Sequence, residues 1–456
     1  MPRKSRSPKK IKSLDELTIV HPNAAGLDIG AREIWVCVPS SKAVENVRMF
    51  GTFTADLNAL ADWLVACGVD TVAMESTGVY WIPVFEVLEA RGLQACLVNA
   101  GHLKHVPGRK SDVLDCQWIQ KLHSLGLLRG SFRPDAEMCA LRTYLRHRAE
   151  LIQHRAPHIL HMQKALQQMN VQLAHVLSDV TGETGQKVLR AIVAGERDPR
   201  QLAQLRHPRC HASEDEIVKA LTGTWRPEHL FTLKQSLELF DFYTQQLAAC
   251  DTELEHQFAA LSPRWDAPAE LPPLPKVKLP AGHKNRPAFD ARAEIFRLTG
   301  VDLCAITGLS ASLVLTILTE TGTDMTKFPN EKHFSSWLGL APRHEISGGK
   351  ILRNSTLKTG NRAGQAFRQA AACVIRSQCA FGAFYRRKCA HLGPMQALVA
   401  TAHKIACTFY YLLKNKIAYH DIGAEAYDQQ QKERDLAYLK RKAAKLGYTL
   451  TSQATA

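Results

Sequence analysis

The sequence predicts an α/β domain at its N-terminal side and an all-α remainder, and three observations carry that expectation. Short apolar runs of strand length recur between residues 24 and 99, first three together and then separated by amphipathic segments. From about residue 136 the strand signals stop, and apolar residues recur at helical spacing over long stretches. Between two such helical regions, residues 262–288 hold seven of the chain's 21 prolines, which is the composition of a linker.

The elements follow in order. Residues 1–23 form a basic arm, whose first twelve positions hold six Lys and Arg and no acid. AAGLDIG and REIWVCVPS read as two strands joined by a Gly-containing turn, and VRMFGTFT as a third. ADLNALADWLVACG has helical period, TVAMEST is a short buried strand, and VYWIPVFEVLEARG is a second helix. QACLVN is a fifth strand and SDVLDCQWIQKLHSLG a third helix. Three strands in a row, then strands alternating with helices, is the order of a ribonuclease-H-like domain, here spanning residues 24–135.

Residues 136–261 carry long helical patterns. LRTYLRHRAELIQHRAPHILHMQKALQQMN places Leu141, Leu145, Ile152, Ile159 and Leu166 beside a face with Arg142, Arg146, Arg148, Arg155 and Lys164. This segment reads equally as a solvated coiled-coil arm or as a surface whose Arg142, Arg146 and Arg155 meet nucleic-acid phosphates. Pro157 should kink or interrupt the helix, because it lacks an N–H and its ring crowds the preceding turn. After the 262–288 linker, a compact helical region spans 289–420, and a basic tail containing YLKRKAAKLGY occupies 421–456.

Charge narrows the partners. The 456 residues carry 58 Lys and Arg against 43 Asp and Glu, a net charge of +15, which favours a polyanion such as nucleic acid. An anionic membrane surface or simple solubility would also accommodate it. No apolar run approaches the eighteen or so residues of a membrane helix, and MPRKSRSPKKIK lacks the apolar stretch of a signal peptide, so a cytoplasmic protein is expected. Twelve cysteines without a CxxC pair read as reduced core thiols rather than a zinc site or disulfide framework.

Four acids stand out in the first domain. In GRKSDVLDCQW, Asp112 and Asp115 sit three positions apart at the start of a helix, so both carboxylates share one face. Taken alone, Ser111 or Asp112 is more commonly a helix cap. Asp28 lies at the end of the apolar stretch AAGLDIG, in the middle of a strand and its turn, however, and Glu75 ends the apolar strand TVAMEST, where a buried charge is expensive without a partner. In a ribonuclease-H-like sheet these two strands are neighbours and the last helix packs on them, so all four carboxylates converge. Such a cluster suits Mg²⁺ or Mn²⁺, and two ions about 3.5 to 4 Å apart can serve an attacking and a leaving phosphodiester oxygen. Arg109 and Lys110 would then hold a phosphate backbone near the metals, or simply be solvated.

GLDIG, AMESTGVYW and GRKSDVLDCQW, with acids in the order D, E, D-x-x-D, resemble the DEDD transposases of the IS "one-ten" family, in its "eleven-eleven" subgroup, related to the Piv DNA invertases. The resemblance covers most of residues 24–445. It implies a RuvC-like, RNase H-like metal-binding domain, a helical coiled-coil arm and a mainly helical C-terminal transposase domain. It also implies a bacterial, nucleoid-associated recombinase that handles donor and target DNA, is guided by a non-coding bridge RNA, and works as a dimer of dimers.

The C-terminal region adds a candidate nucleophile. AITGLSASLVLTILTETG looks like a helix, a Gly turn and a helix, with Ser310 where the resemblance leads one to expect a second glycine. Next comes FSSWLGLAPRHEISGGKILRNSTLKTGNRAGQAFRQA, with Arg343, Lys350, Arg353, Lys358, Arg362 and Arg368 around SGG. An SGG tripeptide is ordinarily a turn. By resemblance, Ser347 matches the family's nucleophilic serine, and Arg343, Lys350, Arg353, Lys358 and Arg362 surround it as nucleic-acid contacts. His344 is a possible base, although a structural role is the commoner one for a lone histidine. A metal-dependent junction resolvase without a covalent intermediate, and an inactive nucleic-acid-binding protein, are the rival readings.

Overall fold

A computed structural model of the chain describes residues 17–76, 78–99, 112–263, 271–273, 285–356 and 360–451, without the side chains of 343–345 and 353–354. The chain divides into two compact units, Met1–Phe132 and Arg133–Ala456.

The first unit is a five-stranded sheet with helices on both faces. Strands β1 (Ala24–Ile29), β2 (Ile34–Cys37) and β3 (Val47–Phe50) form an antiparallel meander, followed by helix α1 (Thr54–Ala66), β4 (Thr71–Glu75), α2 (Trp81–Ala90), β5 (Gln94–Val98) and α3 (Asp112–Ser124). The spatial order is β3-β2-β1-β4-β5, with β4 parallel to both β1 and β5. This is the ribonuclease-H-like arrangement expected from the element order. Period-two alternation sorts the strands: Leu27, Ile29, Ile34 and Val36 pack into a core with Leu57, Leu60 and Leu64 of α1 and Val84 and Leu88 of α2. On the other face Ala73 and Val98 meet Ile119 of α3.

The second unit is built on two long helices, α4 (Ala136–Gln168) and α9 (Pro227–Ala260). Asp135 caps α4 by accepting from the Met138 N–H at 2.9 Å. The two helices run antiparallel, since the Cys250 thiol meets the Tyr144 carbonyl while the His158 ring stacks on Tyr243 farther along. Four short helices, α5 (Leu173–Val176), α6 (Glu183–Ala194), α7 (Pro199–Gln204) and α8 (Glu214–Leu221), close the far end around a core that includes Met162, Leu189, Leu202, Ile217 and Leu233. Contrary to the expectation of an interruption at Pro157, α4 runs unbroken through it. Gln153 and Pro157 are both exposed, so the carbonyl that loses its partner lies on the solvent side, where water satisfies it.

Helices α10 (Ala291–Thr299), α11 (Ala311–Thr321) and α12 (Glu331–Trp337) follow, then a hairpin of β6 (Pro342–Ser347) and β7 (Lys350–Thr356). Helices α13 (Arg362–Val374), α14 (Ala380–Leu392), α15 (Pro394–Asn415) and α16 (Gly423–Lys445) complete the unit. Its core centres on the fully buried Phe334, Phe367 and Phe409. The expected helix, Gly turn and helix is in fact a single 3-10 turn (Leu303–Ala305), a turn and α11, and Ser310 caps α11 by accepting from the Leu313 N–H at 3.4 Å. The tail expected at 421–456 is helical over α16. No helix among the described residues is long and apolar enough to cross a membrane.

Candidate functional site

Asp28 is the last residue but one of β1. Its neighbours Leu27 and Ile29 enter the core under α1 and α2, so alternation leaves Asp28 on the opposite face, with α3. Glu75 ends β4, and because Leu27 pairs with Met74 in parallel register, the two acids close adjacent strands side by side. Carboxyl ends of neighbouring parallel strands are where open α/β sheets place their ligands.

Gly26 sets the height of α3. A Cβ at this position would stand 2.2 Å from the Gln120 backbone nitrogen and 2.5 Å from the Cys116 carbonyl oxygen. Only a glycine lets the helix backbone lie this close to the strand. The Gln120 side-chain amide fastens the contact by donating to the Ala24 carbonyl at 3.2 Å. The contact runs from Cys116 to Gln120, so the first turn of α3, with Asp112 and Asp115, extends toward Asp28.

Electrostatics shows that the four carboxylates share one neighbourhood. The Asp28 carboxyl is raised from 3.8 to about 6, first by burial and then by the negative charges of Asp112, Asp115 and Glu75, against a smaller lowering by the Ile29 N–H. Among the described residues no three Asp, Glu, His or Cys side chains are already spaced to hold an ion. An all-oxygen donor set that is repulsive by itself fits a hard divalent cation, which would relieve the repulsion it neutralises. Burial pushes the nearby thiols up, Cys37 to about 11 and Cys116 to about 12.

Asp28 and Asp112 line a cleft shared with Arg32, Glu33 and Trp35, none of which the sequence marks. Strand pairing brings them there, since Trp35 of β2 faces Asp28 of β1 across the ladder. The Trp35 indole N–H is buried without a hydrogen-bond partner among the described residues. Arg109 and Lys110 lie outside the described residues.

Ser347, in the second unit, is the last residue of β6. It pairs with Lys350 across a two-residue turn in which Gly348 and Gly349 have φ of +55° and +79°. Two successive positive φ values make a type I′ hairpin turn, which explains SGG on conformational grounds alone. The same turn leaves Ser347 and Lys350 exposed, and a Cβ on either glycine would meet nothing within 4 Å. Arg343 and Arg353 belong to the two strands, but their side chains and that of His344 are outside the described set, as is the whole of Lys358. Arg362 is exposed at the start of α13. The hairpin was not expected in a helical region, although a Gly-Gly pair between PRHEI and KILRNST is its signal.

The arm arginines find partners within their own unit. Arg146 donates to Glu320 of α11 at 2.8 and 2.9 Å, and the Arg142 guanidinium lies 3.9 Å from the same carboxylate. Arg155 donates to Asn285 at 2.8 Å and to Thr244 at 3.3 Å. Arg148, grouped by sequence with the solvated face, is buried and donates twice to Asp251 of α9 and to the carbonyls of Asn285 and Arg286. Phosphate binding at Arg142 or Arg146 would therefore compete with Glu320.

Comparison with known proteins gives two family-level matches. The IS110-type DEDD family model, described as Transposase, matches residues 25–171, and the model described as Transposase IS116/IS110/IS902 family matches residues 302–386. A search of curated proteins finds no match. The two matched segments together span just over half of the chain, and they contain the four-acid cluster and the Ser347 hairpin respectively. The chain belongs to the IS110 family of transposases.

Proposed function

We propose that this transposase cuts and rejoins DNA through Ser347, with Asp28, Glu75, Asp112 and Asp115 holding Mg²⁺ or Mn²⁺, and with a bridge RNA selecting donor and target DNA. The observation that carries the reading is the exposure of Ser347 on an open type I′ turn within a transposase segment. A nucleophilic hydroxyl must reach a phosphorus in line with its leaving oxygen, and an uncrowded turn permits that approach. Attack by the Ser347 Oγ forms a serine–phosphate ester and breaks one DNA P–O bond, and the released sugar oxygen takes up a proton. The number of phosphate ester bonds is unchanged, so the reverse attack rejoins DNA without an external energy source.

Lys350 and Arg362 would hold the phosphate backbone beside Ser347, joined by Arg343, Arg353 and Lys358, and Arg109 and Lys110 would do so beside the acids. A bound divalent cation supplies Lewis-acid stabilisation of phosphoryl oxygens. Asp28, Glu75, Asp112 and Asp115 provide its oxygen donors and, in its absence, repel one another. The net charge of +15 supports the pairing of one protein with both RNA and DNA. Base pairing would then read sequence while the protein reads backbone and shape. Recombining two duplexes needs several active sites, which supports a dimer of dimers. The "eleven-eleven" subgroup is the placement that the sequence motifs favour.

The test compares DNA cleavage by wild type, Ser347→Ala and Glu75→Ala in Mg²⁺. Both variants are expected to bind nucleic acid, remain folded and fail to cut. Cleavage by Ser347→Ala at the wild-type rate would show that water is the nucleophile, as in a junction resolvase, and a fully active Glu75→Ala would remove the metal assignment.

A further inference from the structure

Helix α16 leaves an apolar stripe half exposed. Its first half packs on α14, where Tyr427 meets Phe384 edge-on and Arg387 bonds Asp435 at 3.0 Å. Beyond that, Leu436 and Leu439 are 44% and 49% exposed and Leu446 is 66% exposed, although they lie with Ala443 on one stripe at intervals of three, four and three. That is the a/d spacing of a two-helix coiled coil. Leu436 and Leu439 line an open groove beside Ala383, Arg386 and Arg387 of α14, which shields them only in part.

Charge along the same helix says what would cover it. With Leu436 at an a position and Leu439 at d, the flanking e and g positions are Glu433 and Asp435 before the leucines and Lys440 and Lys442 after them. If a second α16 runs antiparallel, with Leu436 of each copy against Leu439 of the other, Glu433 comes opposite Lys440, and Asp435, which also holds Arg387 of its own chain, comes opposite Lys442. The two-fold axis makes each pair twice. Lys432 then falls opposite Ala443, where its aliphatic stem covers the methyl group and its ammonium reaches water. A parallel, in-register pair would instead set Lys432 against Lys432 inside the seam and Asp428 beside Glu433.

We infer that α16 is an oligomerisation helix that pairs antiparallel with α16 of a second copy of this chain through Leu436, Leu439, Ala443 and Leu446. This does not rest on the reaction proposed above. The seam joins copies whether or not Ser347 is the nucleophile.

The test is the mass of the full-length protein by light scattering across a dilution series, alone and with DNA. Leu436→Asp/Leu439→Asp is expected to halve the mass of the wild-type assembly. Both leucines are already half exposed, so an unchanged melting temperature should accompany the loss. Lys440→Glu alone is expected to raise the dissociation constant roughly ten-fold, because two attractive pairs become two repulsive ones. Glu433→Lys combined with Lys440→Glu should restore wild-type association, since the antiparallel pairs are exchanged rather than lost. A monomeric wild type, or leucine variants with wild-type mass, would overturn the inference. So would leucine variants that keep their mass but bind DNA more weakly, which would assign the seam to nucleic acid. Failure of the double charge exchange to restore association would exclude the antiparallel pairing.

Discussion

Gly26→Ala is the most demanding test of how the acid cluster is assembled. The new Cβ would stand 2.2 Å from one backbone atom of α3 and 2.5 Å from another, and neither can swing aside as a side chain would. Recovering an ordinary contact requires α3 to lift from β1 by roughly 1 Å, and overpacking of this kind costs about 1–3 kcal/mol. The unit should therefore remain folded with a lowered melting temperature. A displacement of about 1 Å at a reacting centre can cost on the order of 100-fold in rate. The helix that moves is the one that covers Asp28 and carries Asp112 and Asp115, so both its burial of Asp28 and their repulsion should weaken in part. The Asp28 carboxyl should consequently titrate below its value of about 6 but above 3.8. The assay is a carboxyl-carbon NMR titration of the metal-free protein, alongside melting and DNA cleavage. Wild-type cleavage together with an unshifted Asp28 would refute the claim that contact at Gly26 positions the acids.

Other outcomes follow from named residues. Because the folded Asp28 pKa of about 6 lies above its ordinary value of 3.8, its contribution to stability is fully present below pH 3.8 and lost as pH rises through about 6. Asp28→Asn should therefore stabilise the metal-free protein at pH 7 and bring no such gain below pH 3.8; equal melting shifts at both would contradict this. Arg148→Ala leaves Asp251 buried between α4 and α9 without its guanidinium, which should destabilise the second unit by about 3–5 kcal/mol in urea unfolding, while a paired apolar replacement of both recovers most of it. Asp115→Ala should abolish cleavage in Mg²⁺ without loss of the fold, as circular dichroism would verify.

The sheet was legible because each of its strands is a short apolar run punctuated by turn residues, and the order of runs and helices restricts the topology. Asp28 and Glu75 stood out for the same reason: a carboxylate inside an apolar run has to be accounted for. Trp35 and Arg32 did not, because the residues facing Asp28 are set by the register of β1 on β2, and a pairing register is not visible in one strand. The arm is the instructive case. Arg146 and Arg148 look alike in sequence, two positions apart in a basic stretch, yet one sits half exposed on Glu320 and the other is buried on Asp251. Their partners are distant in the chain, at separations of 174 and 103 residues, so helical period could mark the face but not its occupant. The β6–β7 hairpin was hidden by its helical surroundings, although the two glycines between its strands carry the signal of a I′ turn.

The central claim, that Ser347 joins covalently to DNA, can be read directly. Labelled DNA is incubated with protein and RNA, the mixture is denatured, and the protein is digested with nuclease and trypsin for mass spectrometry. Trypsin releases His344–Lys350, HEISGGK, with Ser347 as its only hydroxyl side chain. The expected result is this peptide carrying the mass of a nucleotide on Ser347. Cleaved DNA with HEISGGK recovered only in unmodified form, or an adduct mapped to another residue, would contradict the claim.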